Sequence, residues 1–254
     1  MDKPVLVDRT VIVTGAGSGI GRAVAVGATR AGAGVALVGR RESALRATAE
    51  DCEAVGGKVL VVVADLAERA AAGRVVAETV DRFGGLYGLV NNAAVATLGG
   101  IEDVDDDAVE AMFAVNAIAP IRLLRAALPE LRRAEGAVVN IGSASGRNSS
   151  PRAIAYGATK AALLHQTRSA AKLLAADRVR VNAVSPGVVV TPIWGGVGLA
   201  PDVVEERLDS LRAATPVGRL AEPEEIARWV LALLDSRSGF VTGTILDVDG
   251  GLSA

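Results

Sequence analysis

Short runs of β-branched and aliphatic residues alternate along this chain with longer segments rich in Ala, Leu, Arg and Glu. Val11–Thr14, Val35–Val38, Val59–Val63, Leu86–Val90, Ala137–Ile141, Val179–Val184 and Thr244–Val248 are continuous apolar runs. That is the pattern of strands covered on both faces. Between them the spacing predicts helices over Gly19–Arg30, Glu42–Val55, Ala67–Phe83, Asp105–Leu131, Tyr156–Ala175 and Glu224–Leu234. Pro120 is expected to bend or break the fourth of these, because proline lacks an N–H and its ring crowds the preceding turn. Repeated βα units imply an α/β fold, a doubly wound parallel sheet with helices on both faces. No linker, repeat or low-complexity tract interrupts residues 1–254, so one domain is expected. Ser185 to Pro201, rich in Gly and Pro, reads as a loop over the site, within a substrate-loop region at about 186–215.

The chain has 254 residues, enough for a large core. Half are hydrophobic but only 3% are aromatic, so Ala, Val, Leu and Gly must build most of that core. A net charge of −2 offers nothing to a nucleic acid or an anionic membrane. The one cysteine, Cys52, allows no internal disulfide and reads as a small helix residue, so a reducing, cytoplasmic setting is expected. Met1-Asp-Lys-Pro4 lacks the apolar run of a signal peptide. Apolar stretches are broken by Gly, Pro or charge, so no membrane-crossing helix is expected. Asp103 and Asp105 to Asp107 have no His or Cys at ligand spacing. Acidic side chains favour the positive end of a helix, and a helix start is expected there in place of a metal site.

Two motifs carry chemistry. The first is the turn Thr14-Gly-Ala-Gly-Ser-Gly-Ile-Gly21, which follows the first strand and opens a helix. Its glycines let the backbone approach a pyrophosphate, and the helix start offers unpaired N–H groups to it. Gly15, Gly17, Ser18, Gly19, Ile20 and Gly21 are therefore candidate cofactor residues, at a spacing that differs from the usual Gly-x-Gly-x-x-Gly. At the end of the second strand an acidic residue would accept from a ribose 2′-hydroxyl, whereas arginine suits a 2′-phosphate. This chain has Gly39-Arg40-Arg41, which predicts NADP(H), with NAD(H) as the alternative. Glu42, which is able to pair with either arginine, counts against that choice.

The second motif is Tyr156-Gly-Ala-Thr-Lys160, with Ser143 upstream. Four residues are about 40° apart around a helix, so Tyr156 and Lys160 share a face. Positive charge from Lys160 and from an oxidised nicotinamide is expected to lower the tyrosine pKa, letting Tyr156 exchange a proton with a carbonyl or alcohol oxygen near neutral pH. Ser143 would hydrogen-bond the same oxygen. A serine-hydrolase reading fails on spacing. The single histidine, His165, is nine residues past Tyr156 and on the opposite side of the helix. Neither Ser143 nor Ser145 sits in a Gly-x-Ser-x-Gly elbow. His165 is expected to pack or to serve an interface.

From about Asp8 to Gly251 the chain resembles the short-chain dehydrogenase/reductase family. The likeness rests on Thr14 to Gly21, Asp65-Leu66, Asn91-Asn-Ala-Ala94, Asn116, Ser143, Tyr156, Lys160 and Asn182-Ala-Val-Ser-Pro-Gly187. It extends through Pro216-Val-Gly-Arg219, Glu222-Pro-Glu-Glu-Ile226 and Asp249-Gly-Gly251. The resemblance implies a Rossmann-type sheet of seven strands in the order 3-2-1-4-5-6-7. It implies an Asn116–Ser143–Tyr156–Lys160 tetrad, with Lys160 on the nicotinamide ribose and the Asn116 backbone holding a relay water. It further implies that Asp65 and Leu66 lie near the adenine, and that Asn92, Ala93 and Ala94 support the cofactor. Pro186, Gly187 and Val188 would flank the nicotinamide, and Thr191 would bond its carboxamide. A homotetramer is implied, paired through the helices around Asp105–Leu131 and Tyr156–Ala175 and through the last strand. The sequence departs from the family pattern twice, at Ala94 in place of glycine and at Tyr87 in place of aspartate.

The resulting expectation is an enzyme moving hydride between nicotinamide and a small-molecule carbonyl or secondary alcohol. Pro192 to Ala200 carries no charge, so Ile193, Trp194 and Leu199 are expected to wall the substrate, with Ser145 beside it. This favours an apolar or cyclic ketone. Arg147 and Arg152 read as surface arginines, with contact to an anionic group as the alternative. A 3-oxoacyl thioester reductase is the nearest rival activity, and a non-catalytic nucleotide-binding sensor or scaffold is the rival of another class.

Overall fold

A computed structural model describes residues 5–254, so the expectation about the first four residues lies outside it. Seven strands form one sheet in the order β3-β2-β1-β4-β5-β6-β7. They are β1 Thr10–Thr14, β2 Gly34–Gly39, β3 Lys58–Val63, β4 Gly88–Asn91, β5 Ala137–Ile141, β6 Arg180–Pro186 and β7 Ile245–Val248. All six pairings are parallel. Successive side chains point to opposite faces of a strand, and the two cores sort accordingly. Val11, Val13, Val35 and Leu37 join one core, while Ile12, Ala36 and Val38 join the other.

Helices α1 Gly19–Arg30, α2 Glu42–Ala54 and α8 Pro223–Leu234 cover the first face, with α1 placing Val24, Ala25 and Ala28 in the core. Helices α3 Ala71–Phe83, α5 Ala119–Ala134 and α6 Ile154–Leu174 cover the second, through Val75, Leu123, Leu131 and Leu174. Each fully buried leucine of this kind contributes ~1.5–3 kcal/mol. Cys52 is fully buried on α2, and burial pushes its thiol pKa up, which suits the packing role.

Three elements depart from the sequence expectation. Pro120 does not break its helix. The α-helix α4 Asp106–Phe113 passes through a π-turn, Ala114–Ile118, directly into α5, and Pro120 lies in the first turn after it. Proline has no N–H for the carbonyl of Asn116 four residues earlier, which is where the helical ladder widens. The combined helix Asp106–Ala134 is long and apolar enough to cross a membrane, with a mean hydropathy of 1.4. In this fold it is a core helix, burying Ala119, Leu123, Ala127 and Leu131 against the sheet. The third departure is α7, Pro201–Ala214, which was not foreseen and buries no residue. The acidic stretch before α4 is a helix start, as expected: the Ala108 N–H donates to Asp105 Oδ1 at 2.7 Å.

Tyr87, the departure before β4, is accommodated by another residue. Its hydroxyl donates to the Leu234 carbonyl at 2.8 Å. The buried Arg180 guanidinium donates to the carbonyls of Leu233, Leu234 and Asp235 at 2.6, 3.2 and 3.1 Å. Tyr87 and Arg180 together cap the C-terminal end of α8.

Candidate active site

A cleft of about 870 Å³ opens beyond the C-terminal ends of β1 and β4, where the strand order reverses. This is the switch point at which open α/β sheets bind ligands, and its size suits a large ligand. Gly15 and Gly19 have positive φ, 64° and 52°. A Cβ on Gly15 would lie 2.8 Å from Asn92 Nδ2, and one on Gly21 would lie 2.2 Å from the Gly15 carbonyl oxygen. The turn is thus compressed against the end of β4, and only glycine fits. Ser18 caps α1 through its backbone alone, so its side chain leaves the first-turn N–H groups to face the cleft. Gly15, Gly17, Ser18, Gly19 and Ile20 line the cleft; Gly21 lies beneath the turn and serves its packing.

Thr14 and Thr48 hold this arrangement, and neither was singled out from sequence. Thr14 Oγ1 donates to the Val90 carbonyl at 3.1 Å and accepts from the N–H groups of Asn92 and Ala93 at 2.9 and 3.0 Å. Asn92 Nδ2 returns a bond to the Thr14 carbonyl at 2.8 Å. Thr48 Oγ1 donates to the Ala16 carbonyl at 3.0 Å, tying α2 to the turn. A threonine ending a buried strand was the available signal.

Arg40, Arg41, Asp65, Leu66, Asn92, Ala93 and Ala94 all line the cleft. Glu42 pairs with Arg46, at 2.6 Å, and not with its neighbours. Among the described residues Arg40 and Arg41 make no ion pair. One oxygen of Asp65 accepts from the Ala67 N–H at 2.9 Å.

At the other end, Ser143, Tyr156 and Lys160 also line the cleft. Ser143 follows β5, and its Oγ accepts from the Ser145 N–H at 3.1 Å. Lys160 is buried, 2% exposed, and its Nζ donates to the Ile141 carbonyl at 2.8 Å. It lies 5.8 Å from the centre of the Tyr156 ring. Burial lowers the Lys160 pKa from 10.5 to about 8. The expected lowering at Tyr156 is not what the protein's own groups produce. Burial raises it above 10.0, and only a hydrogen bond with Ser143 opposes this.

Asn116 lies inside the π-turn and does not line the cleft. Its side chain donates to the Val95 carbonyl at 2.8 Å and to Thr159 Oγ1 at 3.1 Å, and its oxygen accepts from the Val95 N–H at 2.9 Å. It fastens the helix to the loop after β4 and to the residue before Lys160. Ser145, expected in the substrate pocket, is not among the cleft's lining residues, and its backbone supports its neighbours. Its N–H holds Ser143, and its carbonyl would lie 2.7 Å from a Cβ on Gly157, so glycine is needed for this contact.

Pro186, Val189, Thr191, Ile193 and Trp194 wall the cleft. Gly187 and Val188 do not. Gly187 backs onto Asp249, 2.8 Å from a Cβ placed there, and the Val188 carbonyl accepts from the Ala221 N–H at 3.0 Å. Trp194 Nε1 donates to the Val189 carbonyl at 3.1 Å, which orients the indole. Leu199 lines a separate hollow instead of the cleft wall. Arg147 is paired with Asp247, and Arg152 lies with Leu199. His165 is exposed, facing away from the site.

A glycine turn opening a helix and a Ser–Tyr–Lys group on one cleft are the arrangement a nicotinamide-dependent oxidoreductase requires. The comparisons agree. Residues 15–253 match the family model described as Enoyl-(Acyl carrier protein) reductase. The chain is 36% identical over 254 residues to 2-(S)-hydroxypropyl-CoM dehydrogenase 3 of Xanthobacter autotrophicus, covering 98% of each. It superposes on levodione reductase with TM-score 0.93 at 30% identity, covering 98% of both chains. A Caenorhabditis elegans short-chain dehydrogenase/reductase of unknown function, solved with cofactor, gives TM-score 0.92 at 31% identity, covering 98% and 97%. The chain belongs to the short-chain dehydrogenase/reductase family, whose members use NAD(P)(H), and it is an oxidoreductase acting on CH–OH or carbonyl groups.

Proposed function

We propose that this chain is one domain that reduces an apolar or cyclic ketone with NADPH, using Tyr156 as the proton donor. The observation that carries the proposal is a single cleft with the Ser143–Tyr156–Lys160 group at one end and, beside the glycine turn at the other, two arginines that make no ion pair among the described residues. The cofactor residues are Gly15 to Gly21, Arg40, Arg41, Asp65, Leu66 and Asn92 to Ala94, joined by Pro186 and Thr191 near the nicotinamide. When bound, NADPH supplies the hydride. Ser143 Oγ and the Tyr156 hydroxyl hold the carbonyl oxygen, and Tyr156 transfers its proton to that oxygen as charge develops. Lys160, held by Ile141, offers positive charge to the phenolate that remains, offsetting the burial that disfavours it. Asn116 keeps Lys160 and the loop after β4 in register. Ile193 and Trp194 exclude water and orient the apolar part of the substrate.

We further propose a cytoplasmic homotetramer. Exposed Ile118 and Ile121 on the π-turn and α5, Leu173 on α6, and the fully exposed Phe240 before edge strand β7 are apolar surface suited to such pairing. The cofactor preference has a direct test. Replacing Arg40 with Asp should lower the NADPH-to-NADH ratio of kcat/KM by roughly ten- to a hundred-fold, the scale of a lost charged hydrogen bond. An unchanged ratio in steady-state absorbance assays would overturn the NADPH assignment and leave the oxidoreductase standing.

A further inference from the structure

A second hollow of about 310 Å³ lies beside the cleft. The loop that lines the cleft through Ala96 runs on to Leu98, and the lid segment that walls it through Gly196 runs on to Leu199. Between the two spaces these segments are tied, with the Leu98 N–H donating to the Val197 carbonyl at 3.0 Å. The hollow therefore lies one step further along both walls, under α7.

Its chemistry differs from that of the cleft's substrate end. Leu98, Leu199 and Val203 give it an apolar side, while Arg152 and Arg207 set two cations against the single carboxylate of Glu206. Among the described residues none of these three charged side chains makes an ion pair. Arg207 Nε is shut off from solvent and has no hydrogen-bond partner. Buried donors are almost always paired, and leaving one unpaired costs ~1–3 kcal/mol. Two guanidinium groups with free donors, one on exposed Arg152 and one on half-buried Arg207 with its Nε shielded, match the oxygens of a carboxylate, sulfonate or phosphate.

We propose that this hollow is a subsite for an anionic group at the end of the substrate remote from its carbonyl, with Arg152 and Arg207 as specificity-determining residues. The proposal rests on the carbonyl-reductase reading and adds an anionic group to the far end of the apolar ketone. The ketone's apolar body would extend from Ile193 and Trp194 in the cleft toward Leu98 and Leu199 in the hollow once the Leu98–Val197 hydrogen bond between the two spaces opens.

The test is NADPH-dependent reduction of methyl-ketone carboxylates of increasing chain length, each beside its methyl ester. The acid-to-ester ratio of kcat/KM should peak at one length. Arg152→Ala and Arg207→Ala should each cut that ratio roughly ten- to a hundred-fold. The loss should appear in KM, because the remote group binds alike in ground and transition states. Glu206→Gln should raise the ratio, and Arg74→Ala, on the distant α3, controls for net charge. Acids and esters reduced equally at every length, or arginine variants with the wild-type ratio, would overturn the subsite while leaving the reductase intact. If no ketone consumes NADPH, calorimetric titration with hexanoate against hexan-1-ol decides the matter separately. Hexanoate binding that disappears in both arginine variants upholds the subsite, and binding absent or unchanged among all three proteins refutes it.

Discussion

The two ends of the cleft are built differently. At the phosphate end the active surface is backbone, and it is compressed: Gly15, Gly19 and Gly21 each sit where a methyl group would strike another chain segment. The helix that starts there, α1, buries five residues. At the substrate end the surface is side chain on a lid, and α7 above it buries none. The first end is fixed by the sheet and suits a ligand whose shape does not change. The second rests lightly on the fold, so its shape can vary without cost to the core.

That contrast predicts unequal responses to mutation. The largest loss of cofactor affinity and stability together should come from Gly21→Ala, whose Cβ would fall 2.2 Å from the Gly15 carbonyl oxygen. The turn must shift, at a cost of ~1–3 kcal/mol. NADPH affinity should fall at least ~10-fold, and Tm by several degrees, in fluorescence titration and thermal melts. A variant with wild-type affinity and Tm would mean the turn is not tightly packed.

Lys160→Met probes the seam between the ends. A pKa lowered from 10.5 to about 8 means that the folded protein holds a buried charge at a cost of roughly 3 kcal/mol below pH 8. Between about 8 and 10.5 the unfolded chain binds more protons than the folded one, so wild-type stability gains from this group as pH rises. The Met variant should therefore be inactive yet more stable than wild type at pH 7, with an advantage that shrinks across that window. A stability difference independent of pH would contradict the burial argument.

Trp194→Ala should have the smallest effect. KM for the ketone should rise several-fold while Tm changes by no more than ~1–2 °C, since the lid contributes little to the core. A large loss of stability would erase the distinction between the two ends.

The same contrast explains what the sequence revealed. The parallel sheet, the glycine turn and the Tyr156–Lys160 pair were legible because backbone geometry and helix periodicity demand particular residues at fixed spacings, whereas the strand order came from the family resemblance. Asn116 was marked only by the family resemblance and lies outside the cleft lining; the π-turn around it was not legible, because the apolar period continues through it, with Pro120, four residues on, as its clue. Helix α7 went unseen because it has no buried stripe to impose a period. Leu199 was assigned to the substrate wall because its segment carries no charge, with Ser145 placed beside it. The structure turns Ser145 toward holding Ser143 and places Leu199 in the neighbouring hollow. For Tyr156 the expectation counted the charge of Lys160 and of an oxidised nicotinamide; the protein's own groups raise its pKa, because spacing shows which groups are near and not how deeply they are buried.

Tyr156→Phe tests the central claim most directly, because it removes one oxygen and leaves the ring packed. NADPH binding should match wild type within about two-fold, while ketone-dependent NADPH oxidation should fall at least ~100-fold in single-turnover absorbance measurements. A Phe variant that binds NADPH and turns over at a near-normal rate would show that the proton comes from elsewhere, and the mechanism would be wrong.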